Sequence, residues 1–188
     1  MRINYKIRFY SDWHCGSGLA AGADVDMLVI KNSDKLPYLP GKTIKGLIRE
    51  AVLTLQETPE KDILRTFGTP NSADTPARLK ASAEAFFTDA ELPEEEQKAI
   101  TATRSQQFLF RKISSTAIDE NGVAKHQSLR KIEVVIPCIL QGYIQNVPET
   151  AVDKVIHAMK FIKRLGTGRN RGLGRCQFID IEKKGDDK

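Results

Sequence analysis

The chain has 188 residues, of which 40% are hydrophobic and 28% charged, with a formal net charge of +5. That suffices for one well-buried domain with insertions, and no apolar run approaches the ~20 residues that span a bilayer. The basic excess is uneven: residues 160–175 carry six lysines and arginines and no acid, which points to a polyanionic partner. Cys15, Cys138 and Cys176 form no CxxC pair, and with only His14, His126 and His157 beside them the spacing argues against a structural zinc site. Three reduced thiols and a start, "MRINYKIRFYSD", without a signal-peptide core lead to a cytoplasmic expectation.

In chain order, residues 2–9 alternate, with Ile3, Tyr5, Ile7 and Phe9 against Arg2, Asn4, Lys6 and Arg8, which predicts a half-buried strand with a basic outer face. A Gly/Ala-rich loop, "SDWHCGSGLAAGADVD", follows; "MLVIK" reads as a short buried strand and "NSDK" as a turn. Ile44, Leu47, Ile48, Ala51, Val52 and Leu55 then form one helical stripe behind Pro40 and Gly41, with Thr43 as the expected N-cap. The first turn of that helix offers free N–H groups together with Lys42 and Lys45. Gly46 inside it costs up to ~1 kcal/mol relative to Ala, and either a close helix–sheet contact or the close approach of a ligand backbone accounts for it.

"EKDILRTFG" predicts a short helix ending at Gly68, "TPNSADTP" a loop, "RLKASAEAFFTDAEL" either helix or strand, and "LPEEEQKAI" an exposed helical turn. Residues 107–136 read as two extended arms around "DENG" that project outward, being rich in charge and poor in core residues. Residues 133–145 predict a long strand, residues 148–165 a second helix with Val152, Val155, Ile156, Met159 and Ile162 on one side, and "CQFIDIE" a last strand. The order of elements suits an α+β domain over residues 1–183, with a ferredoxin-like (RRM-like) β-α-β-β-α-β core, insertions, and one sheet face left open to bind something. The tail, 184–188, is expected to be disordered.

Between the second helix and the last strand lies "RLGTGRNRGLGRC", four glycines and four arginines in residues 164–176. A P-loop or a dinucleotide-binding turn has to follow a strand and open a helix, and this segment does the reverse. Bare backbone N–H groups with Arg169, Arg171 and Arg175 suit instead a track for successive phosphates, since a guanidinium fork pairs two phosphate oxygens. Such contacts give affinity without sequence preference.

"LPYLPGKTIKGLIREA", "TAIDENGVAKHQSLRKIEVV" and "GTGRNRGLGRC", in this order, resemble the RAMP superfamily of CRISPR-associated proteins, in particular the Cas-seven-like backbone subunits of type III effector complexes. The resemblance runs from residue 1 to about 182. It implies a subunit that stacks with copies of itself and other effector subunits along a CRISPR guide RNA, in a ribonucleoprotein of antiviral defence that engages complementary target RNA. It also implies that Lys42, Thr43, Lys45 and Arg49, and the loop with Arg169, Arg171 and Arg175, contact guide RNA. Residues 112–132, with Lys125 and Arg130, would form a thumb-like hairpin that wedges into the guide–target duplex.

In target-cleaving members an aspartate before the "VIK"-like strand is essential for metal-dependent cleavage. "ADVDMLVIK" places Asp26 there as catalytic residue and Mg²⁺ ligand, with Asp24 in reserve; Mg²⁺ prefers oxygen ligands and keeps several waters. A subunit that only scaffolds RNA is the alternative, because an aspartate in such a loop also serves turn chemistry. A further alternative is a metal-independent endoribonuclease that processes precursor RNA, with His14 in acid–base catalysis; His14 and Trp13 otherwise stack on a base or pack beneath the loop. The chain departs from the familiar backbone subunit in its short insertion between residues 68 and 107 and its lack of a cysteine-rich zinc site, which suits a less common variant or a specialised place at a filament end.

Overall fold

The computed structural model describes residues 1–20, 25–69 and 82–185. β1 (Arg2–Phe9) buries Ile3, Tyr5, Ile7 and Phe9 and turns Arg2, Asn4, Lys6 and Arg8 to the other side, as its alternation requires. It pairs antiparallel on one side with β7 (Ile139–Gln145), Ile3 opposite Ile144, and on the other with β8 (Cys176–Lys184), Ile7 opposite Phe178. Three two-residue strands complete the sheet beyond β7: β2 (Tyr38–Leu39), β3 (Phe86–Phe87) and β4 (Ala90–Glu91).

One face of this sheet is covered by α1 (Gly41–Leu55) and α4 (Glu149–Phe161), which pack on each other and send Ile44, Ile48 and Val52, and Val152, Val155 and Met159, into the core. Burying each such aliphatic side chain contributes roughly 1.5–3 kcal/mol. Taken as β1, α1, a broken edge strand, β7, α4 and β8, with the edge beside β7 and β1 between β7 and β8, this is the ferredoxin-like arrangement expected. Two smaller helices, α2 (Glu60–Phe67) and the exposed α3 (Glu94–Ala102), lie in the connections. No helix among the described residues is long and apolar enough to cross a membrane.

A second, two-stranded sheet stands apart from the first: β5 (Phe110–Ser115) and β6 (Arg130–Val135), paired from Phe110–Val135 to Ser115–Arg130. At its tip the Asp119 carboxylate accepts the N–H groups of Asn121 and Val123, both at 2.9 Å, and Gly122 takes φ +78°. "DENG" therefore makes the turn by Asx chemistry, and the arms between are exposed.

Several boundaries differ from those predicted. Residues 133–145 are not one strand: Pro137, which lacks an N–H, separates β6 in the hairpin from β7 in the main sheet. "MLVIK" makes only isolated bridges, Met27 to Ile132, Val29 to Gly16 and Lys31 to Pro37. "RLKASAEAFFTDAEL" supplies β3 and β4, its first four residues lying outside those described. α4 stops at Phe161, where Ile162 turns extended and sinks into the core. β8 continues to Lys184, so pairing extends one residue into the predicted tail; residues 186–188 lie outside those described.

Thr43 is not the N-cap of α1. Pro40, at φ −59° and ψ 137°, occupies that position without a capping side chain, and Pro59, Pro93 and Pro148 do the same for the other three α-helices described. The first N–H of α1, on Gly41, instead goes to the Asp89 carboxylate at 2.7 Å. Glycine is required there, because a Cβ would lie 2.1 Å from the Phe87 carbonyl oxygen.

Candidate nucleic-acid interface

The glycine–arginine segment leaves α4 and returns into β8 as a close-packed loop. Leu165 and Gly174 bond backbone to backbone at 2.9 Å, closing its neck, and Arg169–Arg171 form a single 3-10 turn between Gly168 and Gly172, both in the left-handed region. Two glycines are dictated by contact: a Cβ on Gly174 would stand 1.8 Å from the Leu165 carbonyl oxygen, and one on Gly166 would stand 2.4 Å from that of His14. The turn so formed leaves Arg169, Arg171 and Arg175 exposed. Arg175 lies 5.7 Å from the centre of the Tyr10 ring, and Arg164 donates to the Arg169 carbonyl at 2.8 Å, bracing the turn.

Arg164 and Arg169 share a groove with Leu47 and Glu50 of α1, so the loop and the first helix form one surface. At the start of that helix Lys42 is exposed and Thr43, Lys45 and Arg49 are partly so. Burial, and then the neighbouring charge of Arg49, hold the Lys45 ammonium below its ordinary pKa. A polyanion laid here would relieve that repulsion. Gly46 is exposed between these cations, and a Cβ on it would meet nothing within 4 Å. The helix–sheet contact that might have required glycine at this position is therefore absent.

The hairpin root adjoins the same end of the sheet. Trp13 and Val135 exchange both backbone hydrogen bonds, at 3.0 and 2.8 Å, and Arg111 Nε donates to the Asp12 carboxylate at 2.5 Å. Glu133 accepts from Lys31 at 2.7 Å and from the Val29 N–H at 3.0 Å, binding the segment after residue 24 to β6. Asp26 sits on that seam: its N–H donates to the Lys131 carbonyl at 2.8 Å, its Oδ2 accepts the Lys131 N–H at 2.7 Å, and Arg130 lies 3.6 Å from its Oδ1. The carboxylate remains 41% exposed. Asp24 lies outside the described residues.

Of the roles expected for His14 and Trp13, packing beneath the loop holds, while catalysis by His14 and stacking on a base do not. Both are fully buried, Trp13 stacking on Phe9 with ring centres 4.6 Å apart, so neither offers a face to a base. His14 faces the Glu133 carbonyl with Nδ1 at 2.6 Å, and its carbonyl oxygen accepts the Thr167 N–H at 2.9 Å. General acid–base work on an RNA 2′-hydroxyl needs direct reach, and His14 has none. Lys125, His126 and Arg130 are exposed on the hairpin; His157 pairs with Glu57 on the helical surface at 2.7 Å.

The sheet face opposite the helices is open, as expected, but its cleft of ≈ 520 Å³ is lined by Asp89, Glu91, Asp180 and Glu182 as well as Arg2 and Lys6. Lys6 is tied to Asp180 at 2.9 Å, and the Arg2 guanidinium covers the Tyr143 ring at 3.8 Å. The acids repel phosphate and Arg2 covers the Tyr143 ring, leaving Phe86 an exposed aromatic on this face, so the basic end of the sheet is the better nucleic-acid surface.

Residues 6–177 match the family model of the RAMP superfamily. The chain belongs to that superfamily. Its fold places this RAMP chain beside subunits of two cryo-EM structures, the type III-B Cmr-beta complex bound to cognate target RNA and the same complex in its apo state. The TM-scores are 0.73 and 0.71 at 10% and 11% sequence identity, over 95% of this chain and 96% of each neighbour. No curated protein sequence matches the chain.

RAMP proteins that cleave target RNA imply a magnesium ion. Among the described residues no three His, Cys, Asp or Glu side chains converge to hold a metal. Asp26 by itself would supply one partly exposed carboxylate, which fits an ion held mainly by waters and phosphate oxygens.

Proposed function

We propose that this RAMP chain is an RNA-binding subunit of a type III-like CRISPR effector complex, carrying guide RNA on the glycine–arginine loop and α1 and presenting target RNA to Asp26 for cleavage. The observation that carries the reading is that the loop bearing exposed Arg169 and Arg171 shares a groove with α1, whose first turns carry Lys42, Lys45 and Arg49, and is bonded through residues 12–14 to the root of a projecting hairpin. Guanidinium and ammonium groups bind successive phosphates, while the hairpin, with Ile118, Val123 and Leu129 exposed among Lys125 and Arg130, has the form of a wedge for a duplex.

Bound at Asp26, Mg²⁺ would stabilise the charge developing on the scissile phosphate. The chain's own contribution is to hold the Asp26 carboxylate against β6 through Lys131, at a fixed distance from the hairpin that displaces the strand. Arg130, 3.6 Å away, is placed to meet a phosphate oxygen or to neutralise Asp26. The second of these roles favours a scaffold that binds RNA without cutting it. The test is the complex assembled with guide RNA and a labelled complementary RNA, wild type against Asp26→Asn, with Mg²⁺ and with EDTA. Asn keeps an acceptor for the Lys131 N–H. Regular cuts that need both Mg²⁺ and Asp26 are expected; intact target under tight binding in every lane would leave the scaffold.

A further inference from the structure

Residues Ser11 to His14, the link out of β1, bond the glycine–arginine loop on one side and the hairpin on the other. Toward the loop, the Ser11 hydroxyl accepts from Arg175 N–H at 3.0 Å, the Asp12 carbonyl from Gly174 at 2.7 Å, and the His14 carbonyl from Thr167 at 2.9 Å. Toward the hairpin, the Asp12 carboxylate holds Arg111, Trp13 pairs with Val135, and His14 Nδ1 donates to the Glu133 carbonyl. Glu133 in turn donates its N–H to Met27 at 3.0 Å, beside Asp26. Three hydrogen bonds therefore lead from Thr167 in the loop to the neighbour of the candidate catalytic carboxylate.

Nothing in this link has slack. Asp12, Trp13 and His14 are buried, a Cβ on Gly166 would stand 2.4 Å from the His14 carbonyl oxygen, and one on Gly16 would press on His14 Nε2 at 3.2 Å. The link also retains three buried polar atoms without hydrogen-bond partners, Asp12 Oδ1, Trp13 Nε1 and His14 Nε2.

We propose that His14 and Asp12 are positioning residues that couple the seating of RNA on the glycine–arginine loop to the set of the hairpin and of Asp26. The inference rests on the RNA reading given above. Coupling passes through directional bonds: the Glu133 carbonyl can only accept, so His14 Nδ1 carries the proton, and Arg111 is pinned by a buried carboxylate. Asparagine at position 14 places an N–H donor where Nδ1 stands, whereas leucine places none.

The experiment is hydrogen–deuterium exchange on the full chain, free and with a hexauridylate oligonucleotide, in wild type, His14→Leu, His14→Asn and Asp12→Asn. In the wild type the RNA slows exchange in residues 164–175 and also in β5 and β6. In His14→Leu, which loses one buried hydrogen bond, and in Asp12→Asn, which keeps an acceptor but loses the charge that strengthens the bonds from Arg111, the hairpin strands exchange up to about tenfold faster in the free protein. RNA then protects the loop but no longer the hairpin, and His14→Asn restores both effects. Wild-type exchange in the hairpin of both variants, or His14→Asn behaving as His14→Leu, overturns the proposal. Should His14→Leu not fold, Asp12→Asn decides alone. Loop protection without hairpin protection in the wild type refutes the coupling only; no protection anywhere refutes the RNA reading and the coupling together.

Discussion

Gly46→Ala separates folding from binding in one substitution. Gly46 lies in the interior of α1, exposed, with ordinary helical backbone and no atom within 4 Å of the added methyl. Alanine therefore fits without strain and gains the helix-propensity difference, about 1 kcal/mol, partly by restricting the unfolded chain. For a domain of this size that raises Tm by about 2–4 °C. The same methyl stands among Lys42, Lys45 and Arg49, where a nucleic-acid backbone would lie against bare helix. Losing one close phosphate contact costs about 1 kcal/mol, roughly a fivefold loss of affinity for single-stranded RNA. Thermal unfolding and fluorescence anisotropy on the same preparation read both quantities. A variant that is more stable and binds more weakly is the expected outcome. Equal affinity would remove this face of α1 from the interface, and an unchanged or lower Tm would refute the helix argument itself.

Replacing both Arg169 and Arg171 by Ala should weaken RNA binding for all sequences and flatten the slope of log affinity against log salt by about 1.4, two phosphate contacts at ~0.7 each, with an unchanged slope counting against the loop as a track. Gly174→Ala, whose Cβ would strike the Leu165 carbonyl from a φ of +70°, should destabilise by at least about 2 kcal/mol, whereas Gly172→Ala, at φ +88° in open space, should cost about 1–2 kcal/mol from the left-handed conformation alone; urea denaturation ranks them. Burial pushes the thiols of Cys138 and Cys176 up to about 12 from an ordinary 9.0. Unfolding lets both ionise at lower pH, so their contribution to stability is full below pH 9 and is lost as pH rises toward 12, by roughly 1 kcal/mol per thiol at pH 10. Neither thiol should react readily with a thiol reagent at neutral pH until denaturant is added, and rapid labelling of Cys176, the fully buried one, in the native chain would refute the packing around it.

The elements legible in the sequence are those whose periodicity is set by one buried face. β1, α1 and α4 each show it over two turns or more, and the hairpin announces its tip through Asp119 and Gly122. What was not legible depends on tertiary partners. Four helices begin behind prolines without capping side chains, so the cap rule pointed at Thr43 when the partner of the first N–H was Asp89, 48 residues away. The apolar run through residues 133–145 has strand character throughout, and only Pro137 signalled that its halves belong to different sheets.

The site shows the same division. The exposure of Arg169 and Arg171 was readable from charge set between glycines, and the structure adds that Gly166 and Gly174 are there for packing, not flexibility. His14 was left open between a reactive and a packed role for a physical reason: a histidine in a loop after a strand carries the same residue signal whether its ring faces solvent or a carbonyl. Its neighbours held the clue. Trp13 and Cys15 flank it in a segment followed by Gly16 and Gly18, large and apolar beside small, which is the composition of a strap drawn under another loop. The Asp12 carboxylate then gains its meaning from Arg111, 99 residues later, and no local pattern joins the two. On the reading proposed above, charges on separate elements need such long-range ties, because arginines on an untethered hairpin and an untethered loop would meet a single strand at no fixed spacing.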